Sequence, residues 1–324
     1  MKHPAAQSAR ILVTGAAGYI GSILIGELLT PRPYCGPFHV TALDNFSHGE
    51  NSLAAYCANY NFDIVNGDAR DTNLMTNLIA AADIIIPLAA IVGAPACGSD
   101  RIAAETTNLG AIDTLYRLSS KSQQIIFPNT NSGYGTSNEI CTEDTPLAPI
   151  SHYGRLKARA ETLIMQRENS IAFRLATVFG ASPRMRTDLL VNDFVLRAVR
   201  DSALVLFEPY ARRNYVHVRD VAAAFLHAIV NFEAMRGNIY NCGDTLANMD
   251  KYGLCAAIQK YMPNVYWAVN PAGADPDKRD YRVSNARLEA TGWAPQHTLD
   301  DGIVELIKLY CGLNEQRYRK TQHA

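Results

Sequence analysis

The sequence predicts an α/β protein in which a doubly wound parallel sheet is joined to a smaller, discontinuous C-terminal lobe. Three observations support this prediction. Short apolar runs alternate with longer amphipathic runs over the first 175 residues. A glycine-rich turn follows the first apolar run and opens a helix. The alternation stops after Phe179-Gly180, where Ser182–Asp188 is rich in arginine and polar residues.

The apolar runs are predicted as strands because they are short and bounded by Gly, Pro and Asn. Strands separated by helices favour parallel pairing, with the helices covering both faces of the sheet. The predicted strands are Ile11–Thr14, Phe38–Leu43, Asp63–Val65, Ile84–Pro87, Gln124–Pro128 and Ala172–Leu175, and the predicted helices are Tyr19–Leu29, Ser52–Ala58, Asn73–Ala80, Ile102–Ser120 and Tyr153–Arg167.

Beyond Gly180 a helix is predicted over about 189–200, followed by two returns to the main sheet. These are strand Tyr215–Val218, with a helix Asp220–Asn231 that Asp220 would cap, and strand Asn238–Asn241. Short helices and Pro/Gly-rich connections are expected after about 250. The predicted main domain is thus 1–180 plus about 215–242. The second lobe is about 181–214 plus 243–324, and residues 1 to about 9 form a loose tail.

Composition limits the function. Of the 324 residues, 48% are hydrophobic and 19% are charged, and the net charge is −1. A disordered or fibrous chain is excluded, and a general nucleic-acid binder is disfavoured because it would carry a basic surplus. The 7 cysteines are scattered, which favours a reduced, cytoplasmic chain without a zinc site. No apolar stretch is long enough to span a membrane, and no signal peptide is evident.

The glycine-rich turn is Gly15-Ala16-Ala17-Gly18-Tyr19-Ile20-Gly21. Glycines allow a tight turn and a close approach of the backbone to a pyrophosphate, and the following helix offers free N–H groups. In this strand–turn–helix context the run predicts a Rossmann-type dinucleotide site. A tight packing turn is the alternative.

Acidic and small residues end the following strands. Asp44 ends the second strand, where a carboxylate accepts hydrogen bonds from ribose hydroxyls and repels a 2′-phosphate, so NAD is favoured over NADP. A turn aspartate beside Asn45 is the alternative. Asp68 would meet the adenine amine or else cap a helix. Leu88-Ala89-Ala90 would let the backbone approach the cofactor, or is simply a buried strand end.

Tyr153 and Lys157 form a YxxxK pair on one face of a predicted helix. A neighbouring ammonium favours the phenolate, so Tyr153 is the candidate base that takes a proton from a substrate alcohol. Lys157 would also bind the nicotinamide ribose. The alternative is an exposed helix face. The turn Asn129-Thr130-Asn131-Ser132-Gly133 supplies hydroxyls that would orient the reacting oxygen, although such residues also favour turns.

Together these motifs resemble the extended short-chain dehydrogenase/reductase superfamily, in its NAD-dependent epimerase/dehydratase branch. The resemblance rests on ILVTGAAGYIGS (11–22), the Tyr153/Lys157 pair and RRNYVHVRDV (212–221), and covers nearly the whole chain. It implies a nucleotide-sugar substrate, a homodimer and Thr130 as the catalytic hydroxyl. The candidate cofactor contacts are Gly15, Ala17, Gly18, Tyr19, Ile20, Asp44, Asn45, Asp68, Ala69, Leu88, Ala89, Ala90, Asn108, Tyr153 and Lys157.

The dehydratases of that family carry Asp-Glu after the threonine, whereas this chain has Asn131 and Ser132. Neither side chain ionises usefully, which argues against loss of water. Ser132 is a second candidate hydroxyl, and the sequence leaves the choice between it and Thr130 open. A 4-epimerase that works through a transient 4-keto sugar uses the same groups and remains the alternative to a dehydrogenase.

Four stretches resemble a narrower subgroup, the GDP-heptose 4-dehydrogenases of surface-polysaccharide synthesis. This resemblance implies oxidation of GDP-D-glycero-D-manno-heptose at C4, with the NADH reoxidised by a keto acid such as 2-oxoglutarate. The stretches are IIIPLAAIVGAPAC (84–97), FPNTNSGYG (127–135), FRLATVFGASPRMRTDLLVNDFV (173–195) and DPDKRDYRVSNARLEATGW (275–293).

Arginines are the candidate ligands for the diphosphate, because a guanidinium binds phosphate oxygens in a bidentate manner. Arg213 and Arg279 match arginine positions of the superfamily. Arg184 and Arg186 would contact phosphate or sugar, or else form surface ion pairs. Asn192, on the following helix, is a further candidate for a phosphate or sugar hydroxyl.

Overall fold

The computed structural model describes residues 8–33, 35–49, 51–270 and 279–321, with the backbone only for 314–321. Residues 1–7 of the predicted tail and 275–278 of one subgroup stretch lie outside the described residues. Ala9, placed in the tail by prediction, already joins the sheet edge, because its carbonyl accepts a 3.0 Å hydrogen bond from the amide of His39.

The strands agree closely with the prediction in the first half of the chain, and several further short strands occur beyond it. They are β1 (Arg10–Thr14), β2 (His39–Asp44), β3 (Phe62–Asn66), β4 (Ile84–Pro87), β5 (Gln124–Thr130), β6 (Thr136–Cys141), β7 (Ser170–Leu175), β8 (Thr177–Phe179), β9 (Ala203–Leu206), β10 (Arg213–His217), β11 (Ile239–Cys242), β12 (Asn248–Met249), β13 (Tyr266–Val269) and β14 (Asp280–Val283).

The helices lie mainly between these strands. They are α1 (Tyr19–Leu29), α2 (Thr72–Ala81), α3 (Ala94–Ser99), α4 (Arg101–Glu105), α5 (Ala111–Leu118), α6 (His152–Ile164), α7 (Leu190–Asp201), α8 (Val218–Val230), α9 (Phe232–Met235), α10 (Lys251–Gln259), α11 (Ala286–Glu289) and α12 (Leu299–Thr321).

The main sheet has 7 parallel strands in the order β11-β7-β5-β4-β1-β2-β3. Its carboxyl-terminal edge therefore gathers the ends of β1, β2, β4 and β5. The strand order reverses beside β1, and in open α/β sheets ligands bind at such a crevice. The predicted α/β class and doubly wound sheet are confirmed.

Both faces of this sheet are covered by helices, which explains why its strands are nearly continuous apolar runs. Alternate residues of β1 point to opposite faces: Ile11 and Val13 pack toward α1 and α8, whereas Leu12 packs toward α2, α5 and α6. Two apolar cores result, one on each side.

Two local predictions were wrong, and a third helix forms as predicted but is less regular. The helix predicted over Ser52–Ala58 is a single 3₁₀ turn, Ala54–Tyr56. The predicted long helix Ile102–Ser120 contains a π-helical turn, Thr106–Gly110, between α4 and α5. Asp220 does not cap α8. The N-cap is His217, whose side chain accepts a hydrogen bond from the amide of Arg219.

The segments outside the main sheet form small sheets and an apolar core of their own. Strand β10 pairs with β8 and β12, so it is not the return to the main sheet that was predicted. Strand β11 does return, beside β7. Helices α7, α10 and α12 enclose a third apolar core around Phe194 and Tyr215. At 23 residues α12 is longer than the short helices expected there.

Helix α12 also holds the loop that follows β8. The Glu305 carboxylate accepts hydrogen bonds from the Ala181 amide (3.1 Å) and from the His217 ring (2.9 Å). These contacts hold the pKa of Glu305 down at about 2, although burial acts in the opposite direction. The loop anchored in this way carries Arg184 and Arg186 toward the main sheet.

Candidate active site

A cavity of about 740 Å³ opens at the carboxyl-terminal edge of the main sheet. This volume lies in the range of small-molecule and cofactor sites. Gly15 and Gly18 line it at the end of β1, and Asp44, Asn45, Asp68, Ala69, Leu88, Ala89 and Ala90 line it at the ends of β2, β3 and β4. The cavity thus combines nine of the candidate cofactor residues.

The glycine turn is shaped for a close approach of backbones. Gly15 has φ +68°, and a Cβ there would lie 2.5 Å from the amide nitrogen of Ala89. A Cβ on Gly21 would lie 2.5 Å from the carbonyl oxygen of Gly15. Only glycine fits either position.

Helix α1 begins at this turn. Its N-cap residue is Gly18, so no side chain of the N-cap binds the first amides of the helix. The first amides of the helix are therefore available to an anion, and the helix dipole favours negative charge there. Together with the cavity, this cradle fits the pyrophosphate of a dinucleotide such as NAD.

Asp44 is bound by the backbone around this turn. Its carboxylate accepts hydrogen bonds of 2.9 Å from the amides of Ala17 and Phe46. Ala17 itself does not line the cavity, so its contribution is to fix Asp44. The carboxylate lines the cavity at the end of β2, where an adenosine ribose would lie.

Asp68 lies on the same cavity and forms an ion pair with Arg70 at 2.6 Å. The hydrogen bonds from Arg70 lower the pKa of Asp68 below its usual value. Asp68 is not a helix cap, which was the alternative interpretation, because Asp71 caps α2 through the amides of Asn73 and Leu74.

Besides Ala17, five candidate cofactor residues do not line the large cavity: Asn108, Tyr19 and Ile20, and the pair Tyr153 and Lys157 described below. Asn108 is buried, and its amide group bonds the backbone of Ile91 in both directions, at 2.8 and 2.7 Å. It therefore shapes the loop after β4 rather than facing the cavity. Tyr19 and Ile20 line a second, smaller cavity, and the Tyr19 hydroxyl donates a 2.7 Å hydrogen bond to the carbonyl of Gly180.

This second cavity, of about 180 Å³, contains the candidate reactive groups. Tyr153, Thr130 and Ser132 line it together with two arginines, Arg186 and Arg279. We call it the reactive cavity. Among the described residues that line it there is no Asp or Glu. Arg186 lines both cavities and so lies where they meet.

Helix α6 positions Tyr153 because Ser151 caps its first turn, accepting a 3.0 Å hydrogen bond from Gly154. Burial raises the pKa of Tyr153 to about 12, and the positive charges of Arg186 and Arg279 oppose that rise. The cations that favour the phenolate in this structure are thus guanidinium groups that lie beyond α6 in the chain.

Lys157 lies one turn further along α6 and is buried. Its ammonium lies over the ring of Phe127, 4.3 Å from the ring centre. Burial lowers the pKa of Lys157 to about 7, although the carboxylate of Glu161 favours the charged form. Lys157 therefore differs sharply from an exposed helix-face lysine, which was the alternative to a functional role.

A buried ion pair supports the floor of the site. Arg174 on β7 binds Glu161 on α6 at 2.8 Å, and both side chains are about 5% exposed. Asn129, at the end of β5, donates from its amide nitrogen to the same carboxylate. Charges this deeply buried are tolerated only when paired, so the network fixes α6 against the ends of β5 and β7.

The predicted substrate residues are divided between these surroundings. Arg184 and Arg186 line the large cavity, where Arg186 pairs with Asp188 at 2.5 Å. Arg279 contacts the hydroxyl of Ser132 in the reactive cavity.

The other two lie elsewhere. Arg213 is buried against the ring of Tyr281, and it lines neither cavity. Asn192 is fully buried, and its amide group is used by Gly180, Arg186 and Tyr19 at 3.0 to 3.2 Å. These bonds hold Asn192 inside the protein, and a substrate contact for it stays a prediction.

The sequence reasoning missed four residues of the site. Two of them are Asp188, which pairs with Arg186, and Arg70, which pairs with Asp68. Each lies two residues from a predicted contact of opposite charge, and that spacing could have indicated the pair. Glu161 and Arg174 are joined only by the fold, and no local pattern in the sequence pairs them.

Two kinds of feature are absent from the described part of the chain. It contains no group of His, Cys, Asp and Glu side chains that would hold a metal ion. Within the same residues, no helix combines the length and apolar character needed to cross a membrane.

Comparison with known proteins agrees with this geometry. A sequence model of the NAD dependent epimerase/dehydratase family matches residues 11–243. The low-salt glycan biosynthesis protein Agl12 of Haloferax volcanii is 29% identical over 324 aligned residues, covering 94% of this chain and 99% of that protein. A dTDP-glucose 4,6-dehydratase of Streptomyces griseus is 28% identical, covering 93% of each.

Among solved structures, the UDP-glucuronic acid 4-epimerase of Bacillus cereus, in complex with UDP-glucuronic acid and NAD, is similar with a TM-score of 0.83. The two chains are 23% identical, and the match covers 94% of this chain and 99% of that one. This likeness concerns the fold.

Proposed function

Because the chain belongs to the NAD dependent epimerase/dehydratase family, we propose that it oxidises a nucleotide-linked sugar at C4. The substrate we propose is GDP-D-glycero-D-manno-heptose, and the product is its 4-keto form. A keto acid such as 2-oxoglutarate would complete the cycle. The heptose and the keto acid rest on the resemblance of four stretches to the GDP-heptose 4-dehydrogenases.

The observation that favours oxidation over dehydration is the lining of the reactive cavity. Loss of water from a sugar needs an acid and a base besides the oxidising group. The described residues that line this cavity include hydroxyls, amides and two arginines but no Asp or Glu. The groups present can move one proton, which is what the oxidation of an alcohol requires.

The chain's own groups account for that step. Tyr153 takes the proton of the sugar C4 hydroxyl, while Thr130 and Ser132 lie beside it to orient the oxygen. Arg186 and Arg279 favour the phenolate form of Tyr153 by their charge. Tyr153 later returns the proton to the oxygen of the keto acid. Bound NAD supplies the acceptor of the hydride from C4 and, once reduced, its donor to the keto acid.

The cofactor contacts follow from the large cavity. The amides at the start of α1 would hold the pyrophosphate, and Asp44 would accept from the adenosine ribose. Asp44 also places a negative charge where NADP carries its extra phosphate. Asp68 and Ala69 would lie toward the adenine, and Lys157 toward the nicotinamide ribose. The guanidinium groups of Arg184 and Arg186 would meet the sugar nucleotide's diphosphate.

We further propose a homodimer formed through α4, α5 and α6, as the resemblance implies. Ile102 on α4 is 79% exposed, and Glu105 on the same helix pairs with Arg159 on α6 at 3.6 Å, so these helices form one continuous surface. Light scattering of the purified protein tests this proposal.

All 7 cysteines are free thiols, which suits the proposed cytoplasmic location. The predicted division into two lobes stays a prediction.

The deciding experiment is the mass of the product. Purified protein is incubated with GDP-D-glycero-D-manno-heptose, NAD and excess 2-oxoglutarate, and the sugar nucleotide is weighed. Loss of two hydrogen atoms supports the proposal. An unchanged mass with a new isomer identifies a 4-epimerase, and loss of one water identifies a dehydratase. Untouched substrate excludes this heptose. A Tyr153→Phe variant, which should retain NAD and lose turnover, is the control.

A further inference from the structure

Two hydroxyl groups lie in the reactive cavity, at the point where β5 passes into the 3₁₀ turn Asn131–Tyr134. They belong to Thr130 and Ser132, and the sequence leaves open which of them serves the reacting oxygen. The resemblance places this role on Thr130. The direction of the hydrogen bonds around the two groups separates them.

The Thr130 hydroxyl is committed to the protein. Its oxygen accepts a 3.1 Å hydrogen bond from the amide of Ser132, and its hydrogen is donated to the Ser132 oxygen at 2.9 Å. A hydroxyl has one hydrogen and two acceptor sites. Thr130 therefore has no hydrogen left to donate to a substrate.

The Ser132 hydroxyl has the opposite inventory. Its oxygen accepts from Thr130 and also from the guanidinium of Arg279. Both of its acceptor sites are thus filled, and its own hydrogen takes part in neither bond. Ser132 is only 5% exposed yet lines the reactive cavity with Tyr153. A hydroxyl whose oxygen binds a cation is also a stronger donor, because the charge polarises the O–H bond.

We propose that Ser132 donates the hydrogen bond to the reacting oxygen of the sugar, and that Arg279 is a positioning residue that holds Ser132 as a donor. The proposal rests on the proposed function, which requires an alcohol oxygen beside Tyr153. It gives Arg279 a task other than the diphosphate contact that the resemblance implies.

No atom is transferred from Ser132. The alcohol proton passes to Tyr153, the hydride leaves the same carbon, and the C–O bond becomes a carbonyl. Negative charge grows on the oxygen as its proton departs, and the Ser132 hydrogen bond stabilises that charge. Donors aimed at such an oxygen contribute strongly to the rate because they need no reorganisation.

The first test compares two variants that each remove one hydroxyl, Ser132→Ala and Thr130→Val. Each is first shown to retain the fold by circular dichroism and to retain NAD affinity. Loss of one such donor lowers kcat by about 100-fold, and this is the result expected for Ser132→Ala. Thr130→Val should lose about tenfold or less, since the Ser132 hydrogen remains. Ser132→Thr, which keeps a hydroxyl, should recover most of the rate. A loss in Thr130→Val equal to or greater than that in Ser132→Ala overturns the proposal.

The second test asks how Arg279 acts, using Arg279→Met alone and combined with Ser132→Ala. If Arg279 works through Ser132, the Arg279→Met substitution should lower kcat more than it raises KM. In the Ser132→Ala background the same substitution should cause little further loss of kcat. Independent losses that multiply, with KM for the sugar nucleotide raised in both backgrounds, would indicate a diphosphate contact and refute the positioning role.

The wild type is first tried with three sugar nucleotides, GDP-D-glycero-D-manno-heptose, UDP-glucuronic acid and dTDP-glucose, and the one that it converts is used in both tests. Conversion of UDP-glucuronic acid or dTDP-glucose but not of the heptose refutes the proposed substrate. The ranking of the two hydroxyl variants is still measured on that sugar, so failure of the heptose proposal and failure of the Ser132 proposal are distinct results.

Discussion

The buried ammonium of Lys157 makes the stability of the nucleotide-free protein depend on pH in a defined direction. Burial lowers the pKa of Lys157 from its ordinary value of 10.5 to about 7. Between these two values the unfolded chain holds a proton that the folded protein has released. Stability rises with pH wherever the unfolded state binds more protons, so folding should become more favourable from neutral to alkaline pH.

One proton corresponds to about 1.4 kcal/mol per pH unit in the free energy of unfolding. The perturbation is Lys157→Met, which keeps most of the unbranched side chain over Phe127 and removes the titrating group. Between about pH 7.5 and about pH 9.5 the wild type should gain roughly 2.5 kcal/mol relative to this variant. Other groups that titrate in this range are common to both proteins, so their contributions cancel in the difference.

The assay is urea unfolding of protein freed of bound nucleotide, followed by circular dichroism at several pH values. Lys121→Met is the matched control, because Lys121 is exposed and its replacement should leave the pH slope unaltered. A slope in Lys157→Met equal to that of the wild type would refute the reasoning. It would show that Lys157 keeps its charge in the folded state.

Three further predictions concern the cofactor cavity and its support. Gly15→Ala should weaken NAD binding by about tenfold or more, because the new Cβ meets the backbone of Ala89; isothermal titration calorimetry measures this, with Gly36→Ala as a control in open space. Asp44→Ala should shift the ratio of NAD to NADP affinity toward NADP by about tenfold, whereas Asp63→Ala on the neighbouring strand should leave it unchanged; an unaltered ratio in Asp44→Ala contradicts the assigned role. Arg174→Met should destabilise the protein by about 3–5 kcal/mol at neutral pH in urea unfolding, because it leaves a buried carboxylate unpaired, and a loss below about 1 kcal/mol would contradict that pairing.

Much of the main sheet was predictable because its signals are local. Helix α1 and strand β4 have the bounds that the pattern predicts, and the remaining predicted strands of the first half differ by only a few residues at their ends. A buried parallel strand needs a short apolar run, and a dinucleotide turn needs glycine where backbones meet. Both requirements are visible within about ten residues of sequence.

The errors share a physical cause. Strand β10 looks like a return to the main sheet because it is apolar and precedes a helix, yet it pairs with β8 and β12. Pairing is decided between distant segments. The surroundings of a side chain are decided in the same way, since Gly180, Arg186 and Tyr19 all bond the amide of Asn192 inside the protein.

By itself the sequence determined the fold class, the dinucleotide turn with its acidic residue at Asp44, and the Tyr153/Lys157 pair, because each of these is a pattern within one strand–turn–helix unit. Only the tertiary structure decided what surrounds them. It brings Arg186 and Arg279, which are distant in sequence, to Tyr153, buries Lys157 against Phe127, and sets the hydrogen-bond directions at Thr130 and Ser132. Charge, burial and donor direction depend on groups far apart along the chain, and they exist only once the chain has folded.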